Sequence, residues 1–340
     1  MRADLLGVDA PQWEDFLADV PHDFYHLPAY VALCAAQENG EPCALYVRDA
    51  GRAMLLPLVV RPIPGGGRDA ASPYGYPGPL LSGPEDPLFL YDAFVAGAQM
   101  LWAEQMVSLF VRFHPLLNDS PPDGMGTVVQ HGETVSIDLT LEPEALWRQT
   151  MSGHRNEINR ALKAGHKAFF DDTWEHYGAF KRLYGGTMER RNAAEHYRFD
   201  DVYFDGLRAA LGEKLHLCVV DIGGAVAAAG LFVETCGIVQ YHLSGSDDAF
   251  ARESPAKLMI HFVRDWAKAR GDIRMHLGGG VGAADDSLLR FKAGFSPLRR
   301  PFYTLRIVLL EDEYERLVAA RDPSLHPALP SDFFPLYRKT

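Results

Sequence analysis

The sequence predicts a layered α/β protein of two tandem domains, each a central, mostly antiparallel sheet flanked by helices. Three observations carry that prediction. The chain has 340 residues, enough for two ordinary domains with cores of their own. Its second half alternates strand-like and helix-like runs in a clear order, and its first half repeats the theme more faintly. The composition, 47% hydrophobic and 23% charged, is that of a folding chain.

The second half is the more legible. From Glu144 to Ala164 the residues Leu146, Trp147, Met151, Ile158, Ala161 and Leu162 recur at helical spacing, and Gly165 stops the run, which predicts a helix or helix pair. HKAFFDD reads as a short strand. Trp174 to Asn192 reads as a helix interrupted or loosened at Gly185 and Gly186, where two glycines weaken helix propensity. Tyr203 to Leu211 reads as another helix. LHLCVVD, AVAAAGLFVE and GIVQYHLSG are strands of an antiparallel meander, turned at Gly223-Gly224 and Cys236-Gly237. Ser254 as N-cap and Pro255 at the first position open a helix that Gly271 closes. Its stripe of Leu258, Met259, Phe262, Val263 and Trp266 is expected to face the sheet. IRMHL is a strand, Asp285 to Ala293 a short helix and PFYTLRIVLL a final strand.

In the first half, PAYVALCAAQ reads as a helix and CALYVRDAGRAMLLPLVVR as a hairpin on an Ala-Gly turn. LFLYDAFVAGAQMLWAEQ reads as a helix, and VSLFVRFHP and ETVSIDLTL as strands. IPGGGRD (63–69) and PLLNDSPPDG (115–124) read as loops. The expected division is 1–150, 151–310, and a C-terminal helix and tail, 311–340, packing back on the first domain.

Charge and motifs narrow the function. A net charge of -12 argues against non-specific binding to nucleic acid or anionic membrane over the whole surface, so a polyanionic partner must be met locally. Between residues 281 and 310 the sign reverses, with Arg290, Lys292, Arg299, Arg300 and Arg306 facing only Asp285 and Asp286. The cysteines Cys34, Cys43, Cys218 and Cys236 lack metal or redox spacing, which suits a reducing compartment. No secretory signal or membrane span is read, so a soluble, cytoplasmic protein is expected. Phosphate loops, dinucleotide fingerprints, zinc-protease motifs and serine elbows are lacking, and nothing visible requires a metal or bound cofactor. His22 and His26 share helical spacing but sit between prolines and read as a loop. The most informative segment is SLLRFKAGF (287–295) after Gly278-Gly279-Gly280. A strand ending in glycines admits a ligand or another backbone closely, and Lys292 on the next helix can set an ammonium beside a carbonyl or phosphate. A strand-end turn with a solvated lysine is the plainer reading.

The order strand, helix, helix, three strands, helix, strand, helix, strand resembles the GNAT domain. HR..I..A...G at 154–165, Tyr184 through Met188 to Arg190, Y.LSGS at 241–246, LGGG at 277–280 and FK.GF at 291–295 together resemble the Fem family. These are tandem-GNAT aminoacyltransferases that use aminoacyl-tRNA to extend peptidoglycan peptides, and they have looser relatives among GNAT acetyltransferases. The resemblance implies an amide-forming transfer of an amino acid from aminoacyl-tRNA, as co-substrate, to an amine on a peptidoglycan-precursor peptide or a small peptide. It implies that Phe291 and Lys292 line the reaction channel, with Tyr241 as a further catalytic candidate. Arg155, Arg190, Arg191, Ser244, Gly278 and Gly279 are the expected substrate contacts. SPYGYPGPL (72–80) and VRFHPL (111–116) also look like those relatives and add Tyr74, Tyr76, Arg112 and His114. Strand alternation puts Tyr241 and His242 on opposite faces, so at most one of them enters a cleft.

Two departures bear on substrate. No segment is long enough for the helical arm common in the cell-wall enzymes. The stretch SDDAFARESPAK, where an acetyl-CoA enzyme carries a glycine signature for the pyrophosphate, lacks those glycines. Two other readings stay open: acyl transfer from acetyl-CoA to an amine, and a non-catalytic protein that binds a peptide or sugar-peptide.

Overall fold

A computed structural model describes residues 1–84, 86, 88–118, 120–191, 194, 198–325 and 331–339. In chain order the elements are β1 (Arg2–Gly7), α1 (Pro11–Asp19), α2 (Pro28–Gln37), β2 (Glu41–Asp49), β3 (Arg52–Pro62), β4 (Arg68–Ala71), β5 (Leu80–Ser82), α3 (Phe89–Ala103), β6 (Met106–Arg112), β7 (Thr127–Asp138), α4 (Pro143–Gln149), α5 (Ser152–Lys163), β8 (Lys167–Phe170), α6 (Tyr177–Arg190), α7 (Asp201–Leu211), β9 (Leu215–Ile222), β10 (Ala225–Thr235), β11 (Ile238–Ser246), α8 (Pro255–Arg270), β12 (Arg274–Gly278), α9 (Ser287–Ala293), β13 (Arg299–Val308) and α10 (Glu311–Arg321). The chain divides into two compact units, Met1–His131 with Pro301–Thr340, and Gly132–Arg300.

In the first unit the strand order is β1-β2-β3-β4-β6-β13, with β5 on β3. Only β4 and β6 run parallel there among these pairs. The β2–β3 hairpin turns on Ala50 and Gly51, both at positive φ (47° and 81°), the handedness that matches strand twist. Helix α3 packs on β1, β2 and β6, and Leu45, Met54, Leu56, Phe94, Leu109 and Leu305 fill the core. The ends of β7 and β13 are shared out between the units, and ETVSID (133–138) belongs to the second.

A satellite core under α10 holds Val107, Tyr314, Leu317, Val318, Leu336 and Tyr337. It is pinned by Asp69, a fully buried carboxylate. Asp69 accepts from Arg61 Nε at 2.9 Å, from Arg338 Nε at 2.7 Å and Nη2 at 3.0 Å, and from Tyr337 Oη at 2.9 Å. A buried charge is tolerable only with such a complete set of partners.

In the second unit the order is β7-β12-β11-β10-β9-β8, with β11 and β12 parallel and the other pairs antiparallel. Helices α5 and α8 cover a core of Ile158, Ala161, Phe232, Leu258, Met259, Val263 and Leu277, with Phe262 and Trp266 at its margin, so the predicted stripe of α8 does face the sheet. Two expectations change. The helix read over Trp174 to Asn192 is α6, unbroken through Gly185 and Gly186; its packing on β10 and β11 outweighs the low propensity of two glycines. Asn192 lies outside the described residues. Ser254 precedes α8 with Pro255 at the first position, but it sits in the left-handed region (φ 53°) and makes no side-chain cap. Its hydroxyl instead bonds to Glu157.

Replacing Asp69 with asparagine takes the buried counter-charge from Arg338 and leaves Arg61 with Glu38 alone. Urea unfolding of Asp69→Asn is expected to show a loss of about 3 kcal/mol; an unchanged midpoint would mean that the tail is held by apolar packing alone.

Candidate functional site

Strand β12 ends at Gly278, whose φ of +73° turns the chain out of the sheet. At Gly279 a Cβ atom would stand 2.9 Å from the carbonyl oxygen of Glu133, so only glycine lets the two backbones approach this closely. The chain then makes a short turn over 281–283 and enters α9 through Asp286. The Asp286 carboxylate accepts from Leu289 N at 2.8 Å and Val281 N at 3.0 Å. Against the cost of burial, these amides hold its carboxyl below the usual carboxylate range.

The turn directs Lys292 inward. Its side chain is buried, and Nζ donates to the Gly279 carbonyl at 2.7 Å and lies 5.8 Å from the centre of the Tyr241 ring. Burial pushes the amine down to about 7; the Asp286 charge opposes the fall and Arg191 adds to it. Tyr241 stacks on Phe232, ring centres 5.3 Å apart, and its hydroxyl bonds to Ser244. Burial raises its pKa, tempered by the Ser244 bond and the Arg191 charge. Lys292, Tyr241, Ser244, Gly278, Gly279 and exposed Arg191 therefore gather at one end of the sheet of this unit. His242 turns elsewhere, to the Tyr203 hydroxyl at 3.5 Å.

Other predicted contacts serve the backbone. Arg190 donates from Nη2 to the Ser246 carbonyl at 2.6 Å and pairs through Nε with Asp248 at 2.9 Å, tying the end of α6 to the end of β11. Arg155 Nη1 is directed at the carbonyls of Trp147, Arg148 and Thr150, at 3.3, 3.1 and 2.7 Å, and so caps α4. Phe291 packs against the core of the unit, with His154 and Phe295 around its ring.

Tyr74, Tyr76, Arg112 and His114 belong to the first unit and form a group of their own there. His114 Nε2 donates to Asp23 at 2.9 Å, while its Nδ1 accepts from Leu116 N at 3.1 Å and Leu117 N at 3.2 Å. His26 Nε2 faces the Gly78 carbonyl at 3.0 Å, and burial, aided by His114, pushes it down to about 3. Tyr30 Oη donates to the Tyr74 carbonyl at 3.0 Å and Arg112 Nη1 to that of Ser72 at 2.8 Å. Tyr76 meets Phe302 edge to face, centres 5.2 Å apart. These bonds fix the course of residues 72–80.

Three residues important to this geometry are given no role by the sequence, although His154 opens the motif at 154–165. Asp286 counted only as a charge, yet it caps α9. His154 and Glu157 lie one turn apart on α5: His154 reaches the Phe291 carbonyl, and Glu157 accepts from Lys257 Nζ at 2.6 Å and from Ser254. Among the described residues no group of three or more His, Cys, Asp or Glu could hold a metal ion, and no helix is long and apolar enough to cross a membrane. The arrangement can set a positive or proton-accepting nitrogen beside a reacting carbonyl or phosphate.

Residues 148–292, ending on Lys292 itself, match the acetyltransferase (GNAT) domain, so this stretch has the GNAT fold. The crystal structure of FemX shares the fold of this chain, with a TM-score of 0.69 at 13% identity, over 93% of this chain and 99% of that one. The C-terminal domain of a putative lysylphosphatidylglycerol synthetase from Agrobacterium fabrum matches at 0.56 and 13%, over 91% and 96%. L-PGS from Bacillus licheniformis matches at 0.52 and 15%, over 88% and 92%. At such identities these likenesses concern the fold. No curated protein matches the sequence.

The low pKa of Lys292 has a signed consequence. Between about 7 and the ordinary value of about 10.4, the unfolded chain holds a proton that the folded chain has released, so this group makes stability rise with pH across that window and stay level below it. Measured by urea unfolding, the wild type minus Lys292→Met difference should therefore increase from pH 7 to 10. A difference that stays flat would mean that the amine keeps its proton when folded.

Proposed function

We propose that this protein is an aminoacyltransferase that joins an amino acid, delivered on aminoacyl-tRNA, to the free amine of a peptidoglycan-precursor peptide or a small peptide or amine. The acceptor nitrogen attacks the ester carbonyl, the C–N bond forms, the C–O bond to the tRNA ribose breaks, and the amine proton ends on the departing hydroxyl. An activated ester needs alignment and a counter-charge for the developing oxyanion more than it needs a nucleophile. Lys292 is suited to that counter-charge, with Tyr241 and Arg191 beside it. Phe291, Ser244 and Gly279 shape the surroundings of the amine.

The choice of donor rests on one observation, the state of residues 247–254. A diphosphate donor such as acetyl-CoA needs unused amides at a helix start. Here Ala249 N bonds to Asp247 Oδ1, Phe250 N to Asp247 O and Ser254 N to Ala251 O. Pro255 brings no N–H to the first position of α8. The Glu157 carboxylate already stands at that end, on Ser254 and Lys257, with Asp247, Asp248 and Glu253 nearby in sequence. A diphosphate would meet like charge and occupied amides. The fold shared with FemX, and with a domain named for a putative lysylphosphatidylglycerol synthetase, supports the same reading. The acetyl-CoA reading keeps one support, the match to the acetyltransferase (GNAT) domain.

Purified protein incubated with radiolabelled aminoacyl-tRNAs and candidate amines should release label from the tRNA in an acceptor-dependent way, while coenzyme A leaves the melting temperature unchanged. Lys292→Ala should lower turnover on the order of 100-fold with the fold intact. Turnover with acetyl-CoA and none with any aminoacyl-tRNA would replace this reading with the acetyltransferase one.

A further inference from the structure

Helix α9 has seven residues, about 10 Å of helix, and a helix this short has little stability of its own. Whatever fixes its two ends therefore fixes Lys292. The N-terminal end is held by Asp286. The C-terminal end is held from α5: Met151 N donates to the Gly294 carbonyl at 2.8 Å, and His154 Nε2 meets the Phe291 carbonyl at 3.0 Å. The His154 ring lies on Gly294, where any Cβ would overlap it, and stands edge-on to Phe295 with centres 4.8 Å apart. A carbonyl accepts and never donates, so the proton of the imidazole is on Nε2. Burial holds the ring pKa below its ordinary value, the Phe291 bond opposes this, and Lys257 and Glu157 act in opposite directions.

We infer that His154 is a positioning residue for the reaction: by donating from Nε2 to the backbone carbonyl next to Lys292, it holds α9 at the height that brings Nζ onto the Gly279 carbonyl. The bond spans 137 positions of sequence and joins α5 to the residue immediately before the lysine. The groups that bear on the amine itself are Asp286 at the head of α9, Arg191 at the end of α6, and the Tyr241 ring on β11. Any drift of α9 changes the distance of Nζ from all three and from its buried acceptor. The turnover part of this inference rests on the proposed aminoacyl transfer; the placement of the amine does not.

The test uses two variants of the full chain. His154→Phe keeps a ring on Gly294 and removes the donor, whereas His154→Gln keeps an N–H at the reach of Nε2. Should His154→Phe not fold, His154→Asn takes its place, since its shorter amide stops short of the Phe291 carbonyl. With 13C-labelled lysine, the Lys292 Cε signal is assigned by its loss in Lys292→Met and followed through a pH titration. In His154→Phe it should titrate at least about one unit higher than in the wild type, as the amine leaves its buried site, and His154→Gln should restore the wild-type curve. In the transfer assay, His154→Phe should lower kcat at least about tenfold with the acceptor KM unchanged, again with recovery in His154→Gln. A wild-type titration in folded His154→Phe, or no recovery in folded His154→Gln, overturns the role of His154. If the wild type transfers nothing from any aminoacyl-tRNA, the functional reading falls, and the titration still decides the role of His154.

Discussion

A helix of less than two turns cannot hold a buried amine in place by itself, and the site of the second unit follows from that constraint. Asp286 supplies the missing acceptor at one end of α9 and α5 supplies contacts at the other. Between these anchors, and among the described residues, Lys292 has one hydrogen-bond partner, the Gly279 carbonyl, presented by a glycine-ended strand. A carbonyl stabilises an ammonium less than a carboxylate does, and the carboxylate whose charge acts on the amine, Asp286, is already committed to backbone amides. The amine is left close to the balance point between its two protonation states, a condition characteristic of groups that take part in reactions.

The same economy of charge runs through the molecule. Guanidinium groups that sequence reading reserves for substrate are engaged with backbone carbonyls: Arg155 on α4, Arg190 on β11, Arg112 on the 72–73 segment. Each ends an element or fixes a loop, work that water or a capping side chain does elsewhere. Once these are set aside, Arg191 and Lys292 are the cations of the second-unit group whose charge bears on its interior.

Much of this was legible in the sequence, where local pattern and tertiary need agree. PAYVALCAAQ is α2 residue for residue, and the Ala-Gly turn and the three-strand meander stand where hydrophobic alternation put them. Helix α1 was readable and went unread: Pro11 opens it, and Trp13, Phe16 and Leu17 mark one buried face. Strand β1 gave weaker signs, being half exposed along its length. The glycine pair of α6 misled because propensity is local and the packing that overrides it is not. FK after a glycine-ended strand pointed to Lys292, but its burial and its partner depend on a turn that only the fold defines. The links from His154 to Phe291, from Glu157 to Lys257 and from Asp69 to Arg338 join residues a hundred or more positions apart, and nothing in a single sequence announces such a pairing.

The arrangement around Asp69 bears on how the chain comes together in time. The first unit is made of residues 1–131 and 301–340, and the second is a continuous stretch between them. During synthesis the second unit has all its parts before the first does. Until Tyr337 and Arg338 are made, Asp69 has Arg61 as its partner while two of its eventual donors are missing, and β6 lacks its neighbour β13. The segment 1–131 thus waits, incomplete, for residues 301–340 to arrive. A stalled or prematurely released chain would carry a finished second unit beside an open sheet edge, the kind of surface on which chaperones and proteases act.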